Sequence, residues 1–214
     1  MTSTAIEDTE FVVRTIATTA VENEKYFGDL DAVVGDGDFG YSLARGFEKI
    51  LVDWDTFDRT DPGTFLLKIA VAITGRIGGT SGPIWGTAFM RAGTALKGAD
   101  SLTRADVVRA LRASIEGIKT RGNSDVGDKT LLDAIVPAVD ALEESIGAGE
   151  DTGAALERAA GVARRAAEST VDMQAKRGRA SYSGERSIGS VDPGAIAVAV
   201  IAERLATQWR ARTT

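Results

Sequence analysis

The sequence predicts an all-α chain in which about eight helices run up and down beside one another. Three observations predict it. Apolar residues recur at helical spacing along nearly the whole chain, as in Leu43, Phe47, Ile50, Leu51 and Trp54, and again in Val107, Val108, Leu111, Ile115 and Ile118. Strand-like alternation is absent from the pattern. Most connections between the periodic stretches are short, which makes antiparallel neighbours the default.

The first helix is expected near 5–27 and the second near 39–54, with an Asp- and Gly-rich turn between them. The third, 62–76, opens on Asp61 and Pro62; an acidic side chain caps the orphan amides, and Pro at the first helical position gives up no hydrogen bond. The fourth, 82–97, follows the run GGTSGP. Thr103 with Asp106 starts the fifth, 104–120, and Asp128 ahead of Lys129 is expected to cap the sixth, 129–147. The seventh, 151–173, contains the Ala-rich stretch Ala154 to Ala167, a strong helix former whose small side chains allow close helix approach. Asp192 and Pro193 begin the eighth, 193–211. Trp54, Trp85 and Trp209 fall on apolar helix faces and are expected in the core. No repeat, low-complexity tract or linker interrupts the chain, so a single domain over 1–214 is expected.

Composition excludes several functions. A formal net charge of -6 argues against affinity for nucleic acid or an anionic membrane, although a small anion needs only the right local charge. There is no Cys, hence no disulfide, thiolate zinc site or cysteine nucleophile. There is no His either, which removes a phosphohistidine carrier, a Ser-His triad and the commonest metal ligand. Met1 to Glu10 is polar and acidic, and the longest apolar stretch, Ala195 to Ala202, is too short to span a bilayer. A soluble cytoplasmic protein is expected, with carboxylates supplying any metal site.

Helix parity then carries information. In an up-and-down array every second connection lies at the same end. The unusual Gly-rich runs, at 29–40, 75–83, 121–130 and 177–194, all fall in one set, whereas the other set holds plain polar turns. Each of the Gly-rich runs feeds a helix N-terminus, whose free amides and positive dipole end favour anions. A phosphate site is expected at that end.

Asp31, Asp36 and Asp38 form the pattern D-x-x-x-x-D-x-D within the first of these runs. Two carboxylates about 4 Å apart repel by roughly 4 kcal/mol at an effective dielectric near 20, so a converged trio needs a cation or a proton. Isolated acidic turns are most often solvated caps, but beside three phosphate-friendly loops these oxygens suit Mg²⁺. An EF-hand is excluded, since counting from Asp36 the fifth position is Gly40 and the twelfth is Phe47. GGTSGP, with Gly79, Thr80 and Ser81, lets backbone amides approach a phosphate closely but lacks the P-loop spacing. GDKTLLDA sets Lys129, Thr130 and Leu131 at the next helix start. The long loop from Gln174 to Val191 carries Lys176, Arg177, Arg179 and Arg186; Arg suits phosphate by its planar donor fork, and sequence does not rank the four.

In this order, the runs DAVVGDGDFG, GGTSGPIWGTAF, GDKTLLDAIVPA and GRASYSGERSIGSVDPGA resemble the nucleotide-binding (L) subunit of the dihydroxyacetone kinase family across nearly the whole chain. The resemblance implies a barrel of eight antiparallel helices that binds ADP or ATP through Mg²⁺, two ions, held by Asp31, Asp36 and Asp38. Nucleotide contacts would fall on Phe39, Gly40, Tyr41, Ser42, Gly79, Thr80, Ser81, Gly122, Thr130, Leu131, Arg179, Asp192, Pro193 and Gly194. Leu131 would serve the adenine side, and Arg179 would also be catalytic. A small hydroxyketone, dihydroxyacetone or a longer ketose such as erythrulose, would be bound covalently by a His on a separate substrate subunit. The phosphoryl group would come from consumed ATP, or from a phosphotransferase-system phosphocarrier that recharges bound ADP. The family usually has His where this chain has Phe39, an aromatic that cannot donate to a phosphate or shuttle a proton. The rival readings are a catalytically silent nucleotide-sensing subunit and a helical scaffold with acidic turns.

Overall fold

The computed structural model describes residues 4–213, which hold nine α-helices and no strand. They are α1 (Ala5–Glu22), α2 (Glu24–Asp31), α3 (Phe39–Val52), α4 (Pro62–Arg76), α5 (Ser81–Leu96), α6 (Arg104–Gly122), α7 (Leu132–Gly147), α8 (Thr152–Ser169) and α9 (Pro193–Thr213). Short 3-10 turns extend α3 at Trp54–Thr56 and α8 at Thr170–Asp172, and a third, Arg179–Ser187, lies in the long loop before α9.

The expected first helix is broken at Asn23. Its φ of -106° and ψ of 16° leave the helical range, and its Nδ2 donates to the Thr19 carbonyl at 2.8 Å, the same carbonyl that its own N–H reaches at 3.2 Å. A short amide side chain competing for backbone groups disrupts a helix in this way. The chain does not reverse there, because α1 and α2 both pack on α3 and on α9. They form one bent rod, and the parity of every later helix is preserved.

Contacts follow a cycle. Each rod packs on the next in sequence, and α9 returns to α1. Inside the cycle, Phe27, Phe47, Phe65, Leu43, Ile50, Ile69 and Ile73 are completely buried. Trp54 and Trp85 are buried as expected, the latter edge-on to Phe47 with ring centroids 6.0 Å apart; Trp209 is half-buried against Phe11. On α8, Ala155, Ala159, Ala163 and Ala167 form a buried stripe, and the absence of longer side chains lets α7 and α9 pack closely.

One pole collects the plain polar turns. The Gly98 N–H donates to Asp61 at 3.1 Å, and Arg104 donates to the Glu150 carbonyl at 2.5 Å, so the three turns are tied together. Asp8 and Arg212, 2.7 Å apart, join the first and last helices at the same pole. Every helix that starts here is closed by a side chain: Thr4 accepts from Glu7 N–H, Asp61 from Thr64, Thr103 from Asp106 and Asp151 from Ala154. Such caps satisfy amides that a helix leaves without partners.

Candidate nucleotide and metal site

At the other pole the four Gly-rich connections meet around a cleft of about 260 Å³. Its walls come from 31–42, 78–85, 118–131 and 177–194. Here two of the four loops deliver their helices without a side-chain cap. Asp38 and Thr80, which precede α3 and α5, make no side-chain capping bond. Gly79 holds φ +61°, a left-handed conformation that L side chains rarely adopt, and turns the chain into α5. A sixteen-residue helix therefore presents its N-terminal amides and dipole to the cleft without an internal anion.

Asp31 ends α2, and Asp36 and Asp38 lie in the turn before α3. One oxygen from each of the three lies within 4.8 Å of the others. The turn is drawn tight by the Gly35 N–H, 2.6 Å from the Asp31 carbonyl, while the Phe39 N–H donates to the Asp31 carboxylate at 3.3 Å. Three like charges at this spacing call for a counterion. Arg179 supplies one: its Nη1 touches Asp36 and lies 3.4 Å from Asp38. An all-oxygen donor set from three carboxylates also fits Mg²⁺, which keeps several of its positions for water and phosphate oxygens.

The long loop ranks its own basic residues. Lys176 donates to the Gly127 carbonyl at 2.9 Å and lies 3.3 Å from Asp128; Arg177 donates to the Asn123 carbonyl at 2.5 Å and lies 3.3 Å from Asp128. These two fasten the loop to the α6–α7 connection. Arg186 is exposed, and Arg179 faces the carboxylates. The expected cap at Asp128 is corrected by the same contacts. Lys129 takes a left-handed φ of 60°, α7 begins only at Leu132, and Asp133 receives the Gly127 and Thr130 N–H groups at 2.5 and 2.7 Å.

Asp192 accepts from the Ala195 N–H at 2.7 Å and caps α9. Burial pushes its carboxyl up to about 7, with the Asp133 charge adding to the rise and the Ala195 N–H and Lys129 opposing it.

Of the residues read from sequence, Asp31, Asp36, Asp38, Phe39, Ser42, Gly79, Thr80, Ser81, Gly122, Thr130, Leu131, Arg179, Asp192, Pro193 and Gly194 all line the cleft. Gly40 and Tyr41 do not. Gly40 is buried where α2 crosses α3, and a Cβ there would lie 2.0 Å from the Glu24 carbonyl oxygen. Tyr41 is 58% exposed and lies under the Arg45 guanidinium, 5.1 Å from its ring centroid. Sequence reasoning missed Lys129 as a cleft residue, along with Ile84, Ile118 and Ser124; Trp85 belongs both to the core and to the cleft wall. Ile84, Ile118 and Leu131 pack together as an apolar patch, a role that helical periodicity reads simply as core.

The sequence matches the DAK2 domain over residues 33–207. The chain belongs to the DAK2 domain family. This DAK2 chain is 40% identical over 182 residues to the PEP-dependent dihydroxyacetone kinase, ADP-binding subunit DhaL, of Escherichia coli K12, covering 85% of the chain and 87% of that protein. It is 39% identical over 196 residues to the L-erythrulose 1-kinase of Mycolicibacterium smegmatis, covering 91% of the chain but 34% of that longer enzyme. Among solved structures it is similar to the dihydroxyacetone kinase of C. freundii in complex with AMP-PNP and Mg²⁺, with a TM-score of 0.74 and 28% identity, covering 93% of this chain and 33% of that one. Asp31 lies just ahead of the DAK2 match, and the other two carboxylates lie within it. Among the described residues, no helix is long and apolar enough to cross a membrane.

Proposed function

We propose that this chain is the ADP- or ATP-binding subunit of a kinase for dihydroxyacetone or a related small hydroxyketone. One observation carries the reading: three carboxylates within 4.8 Å of one another share a cleft with the uncapped N-terminus of α5. That combination offers a divalent cation and a polyphosphate adjacent places in one cleft. The names of the relatives, ADP-binding subunit and L-erythrulose 1-kinase, and the C. freundii complex with AMP-PNP and Mg²⁺ support the same assignment.

In this reading Asp31, Asp36 and Asp38 hold two Mg²⁺ ions, which when bound neutralise the nucleotide's phosphates. Thr80, Ser81 and the amides opening α5 receive phosphate oxygens, together with Ser42 on α3 and Gly122 and Thr130 across the cleft. The adenine lies against Leu131 and its neighbours Ile84 and Ile118, near Asp192, Pro193 and Gly194. Arg179 turns from the carboxylates to the transferring phosphoryl group and balances its charge, a contribution of about 10³–10⁵ in rate where an arginine does this in other phosphotransferases. Phe39 packs on Phe27, with centroids 6.1 Å apart, and serves as a wall of the site. With no His in the chain, no phosphohistidine forms on it.

The acceptor is held by a separate substrate subunit with its covalent His, and turnover requires that partner. The phosphoryl source is consumed ATP or a phosphotransferase-system phosphocarrier acting on bound ADP. The chain works as one nucleotide-binding domain in the cytoplasm, and the cyclic order of helix contacts supports an eight-rod barrel. Calorimetry with ADP and ATP, with and without Mg²⁺, tests the binding; turnover with candidate substrate subunits tests the transfer. Saturable binding without ketone-dependent transfer in any pairing would leave a nucleotide sensor instead of a kinase subunit.

A further inference from the structure

We propose that Lys129 is a positioning residue whose ammonium ties both flanks of the Arg179-bearing loop to the start of α7 and so sets where the Arg179 guanidinium stands. The inference rests on the reading that Arg179 serves phosphoryl transfer. Lys129 lines the cleft yet is only 2% exposed. Its Nζ donates to the Met173 carbonyl at 3.0 Å, to the Ser190 carbonyl at 2.6 Å and to the Ser187 carbonyl. Met173 precedes Arg179, whereas Ser187 and Ser190 follow it. The amine therefore draws together the two flanks of the segment that carries Arg179.

An ammonium has three donors and no acceptor, and here each donor meets one carbonyl. No neutral side chain radiates three donors from one point. The backbone agrees with a fixed role: φ of 60° is sparsely populated for a residue with a side chain, and such a conformation persists where its surroundings over-determine it. Burial lowers the Lys129 amine from the usual lysine range, and the neighbouring Asp192 carboxylate opposes that shift. Other fastenings of the loop base include those from Ala175 N–H to Ser187 Oγ at 2.9 Å and from Gly189 N–H to the Val171 carbonyl at 2.8 Å. Both join one part of the segment to another, or to the end of α8. Lys176 and Arg177 already hold the near flank to the α6–α7 connection, and the Lys129 amine adds the far flank, at Ser187 and Ser190.

The test compares Lys129→Met, Lys129→Arg, Arg179→Met and the Lys129→Met/Arg179→Met double variant. Limited trypsin digestion of the nucleotide-free proteins reads the loop directly, since Arg177, Arg179 and Arg186 are cleavage points within it. Lys129→Met should raise cleavage there about tenfold while the helical circular dichroism is retained, because local opening governs such proteolysis. With a substrate subunit, kcat should fall about tenfold and Mg-ADP affinity change by less than about threefold, the pattern of a lost transition-state contact. Lys129→Arg, which keeps charge and donors, should recover part of both effects. In the Arg179→Met background, adding Lys129→Met should cost no further kcat, because the two side chains act through one contact. Unchanged cleavage, or kcat losses that multiply in the double variant, would overturn the proposal. Should Lys129→Met fail to fold, Lys129→Gln keeps two donors and carries the same comparisons. Failure of the wild-type chain to bind Mg-ADP would instead defeat the kinase reading, with the cleavage result still judging the clamp.

Discussion

Arg179 Nη1 stands 3.4 Å from Asp38 Oδ2 and touches Asp36, so one guanidinium covers two of the three carboxylates that converge on a single point. In the nucleotide-free protein, a divalent cation bound by the trio would compete with Arg179 for the same oxygens. Once phosphates arrive, both have anionic partners.

Removing the competitor separates these roles. Arg179→Ala should bind Mg²⁺ alone at least as tightly as the wild type, up to about tenfold tighter, while kcat with a substrate subunit falls about 10³-fold. Manganese titration followed by paramagnetic resonance reads the first quantity and steady-state kinetics the second. Weaker metal binding in the variant would contradict the competition.

Asp36→Asn should weaken Mg-dependent ADP binding by at least about tenfold, since a carboxylate ligand is replaced by a neutral amide. Thermal stability should not fall, because the substitution removes one member of a like-charged cluster. Calorimetry with and without Mg²⁺ separates metal-linked from metal-independent affinity. Equal affinity in the variant would dismiss the trio as a metal site.

Asp192 makes the fold pH-sensitive in a stated direction. Its folded carboxyl is held up to about 7, against about 3.9 for an unperturbed aspartate. Between those values the native chain binds more protons than the unfolded chain, so this group's contribution falls as pH rises through the window. Asp192→Asn keeps an acceptor for the Ala195 N–H and removes the titration. Urea unfolding should show the variant gaining on the wild type between pH 5 and pH 8, and a gain that is constant across that range would refute the assignment.

Gly40 and Tyr41 were both expected at the nucleotide, and the structure gives them other surroundings. Gly40→Ala must push its Cβ into the Glu24 carbonyl and should cost roughly 1–3 kcal/mol of stability through overpacking. Tyr41→Ala should leave Mg-ADP affinity within about threefold, as expected of an exposed side chain outside the cleft. A large loss of affinity in Tyr41→Ala with an intact fold would return that residue to the site.

Much of this arrangement was legible in the chain. The Asp61 and Thr103 caps follow local rules that no tertiary contact overrides, and helix parity was enough to bring the four Gly-rich loops around one cleft. The three aspartates converge because their spacing spans one tight turn. What escaped depends on longer-range geometry. The break at Asn23 has no Gly or Pro to announce it, only an amide competing for the Thr19 carbonyl. Asp128 caps no helix because Lys129 turns left-handed to reach carbonyls 44 to 61 residues away in sequence, and α7 starts only at Leu132. The basic residues of the long loop could be ranked only once Lys176 and Arg177 were seen to spend themselves on Asp128 and the α6–α7 backbone. Gly40 and Tyr41 fall outside the cleft wall because the rotation of α3 about its axis decides which of its first side chains face the cleft.

The unequal treatment of helix starts at the two poles also links folding to ligand supply. One pole completes itself with Thr4, Asp61, Thr103 and Asp151, while at the other the opening of α5 has no side-chain cap and that of α3 has only the Asp31 carboxylate at Phe39 N–H. A polyphosphate and its cation would act there as the missing punctuation of the fold, so the midpoint of thermal melting should climb with the logarithm of their concentration once they exceed their dissociation constant. The protein's resistance to heat would then serve as a gauge of how much charged nucleotide surrounds it.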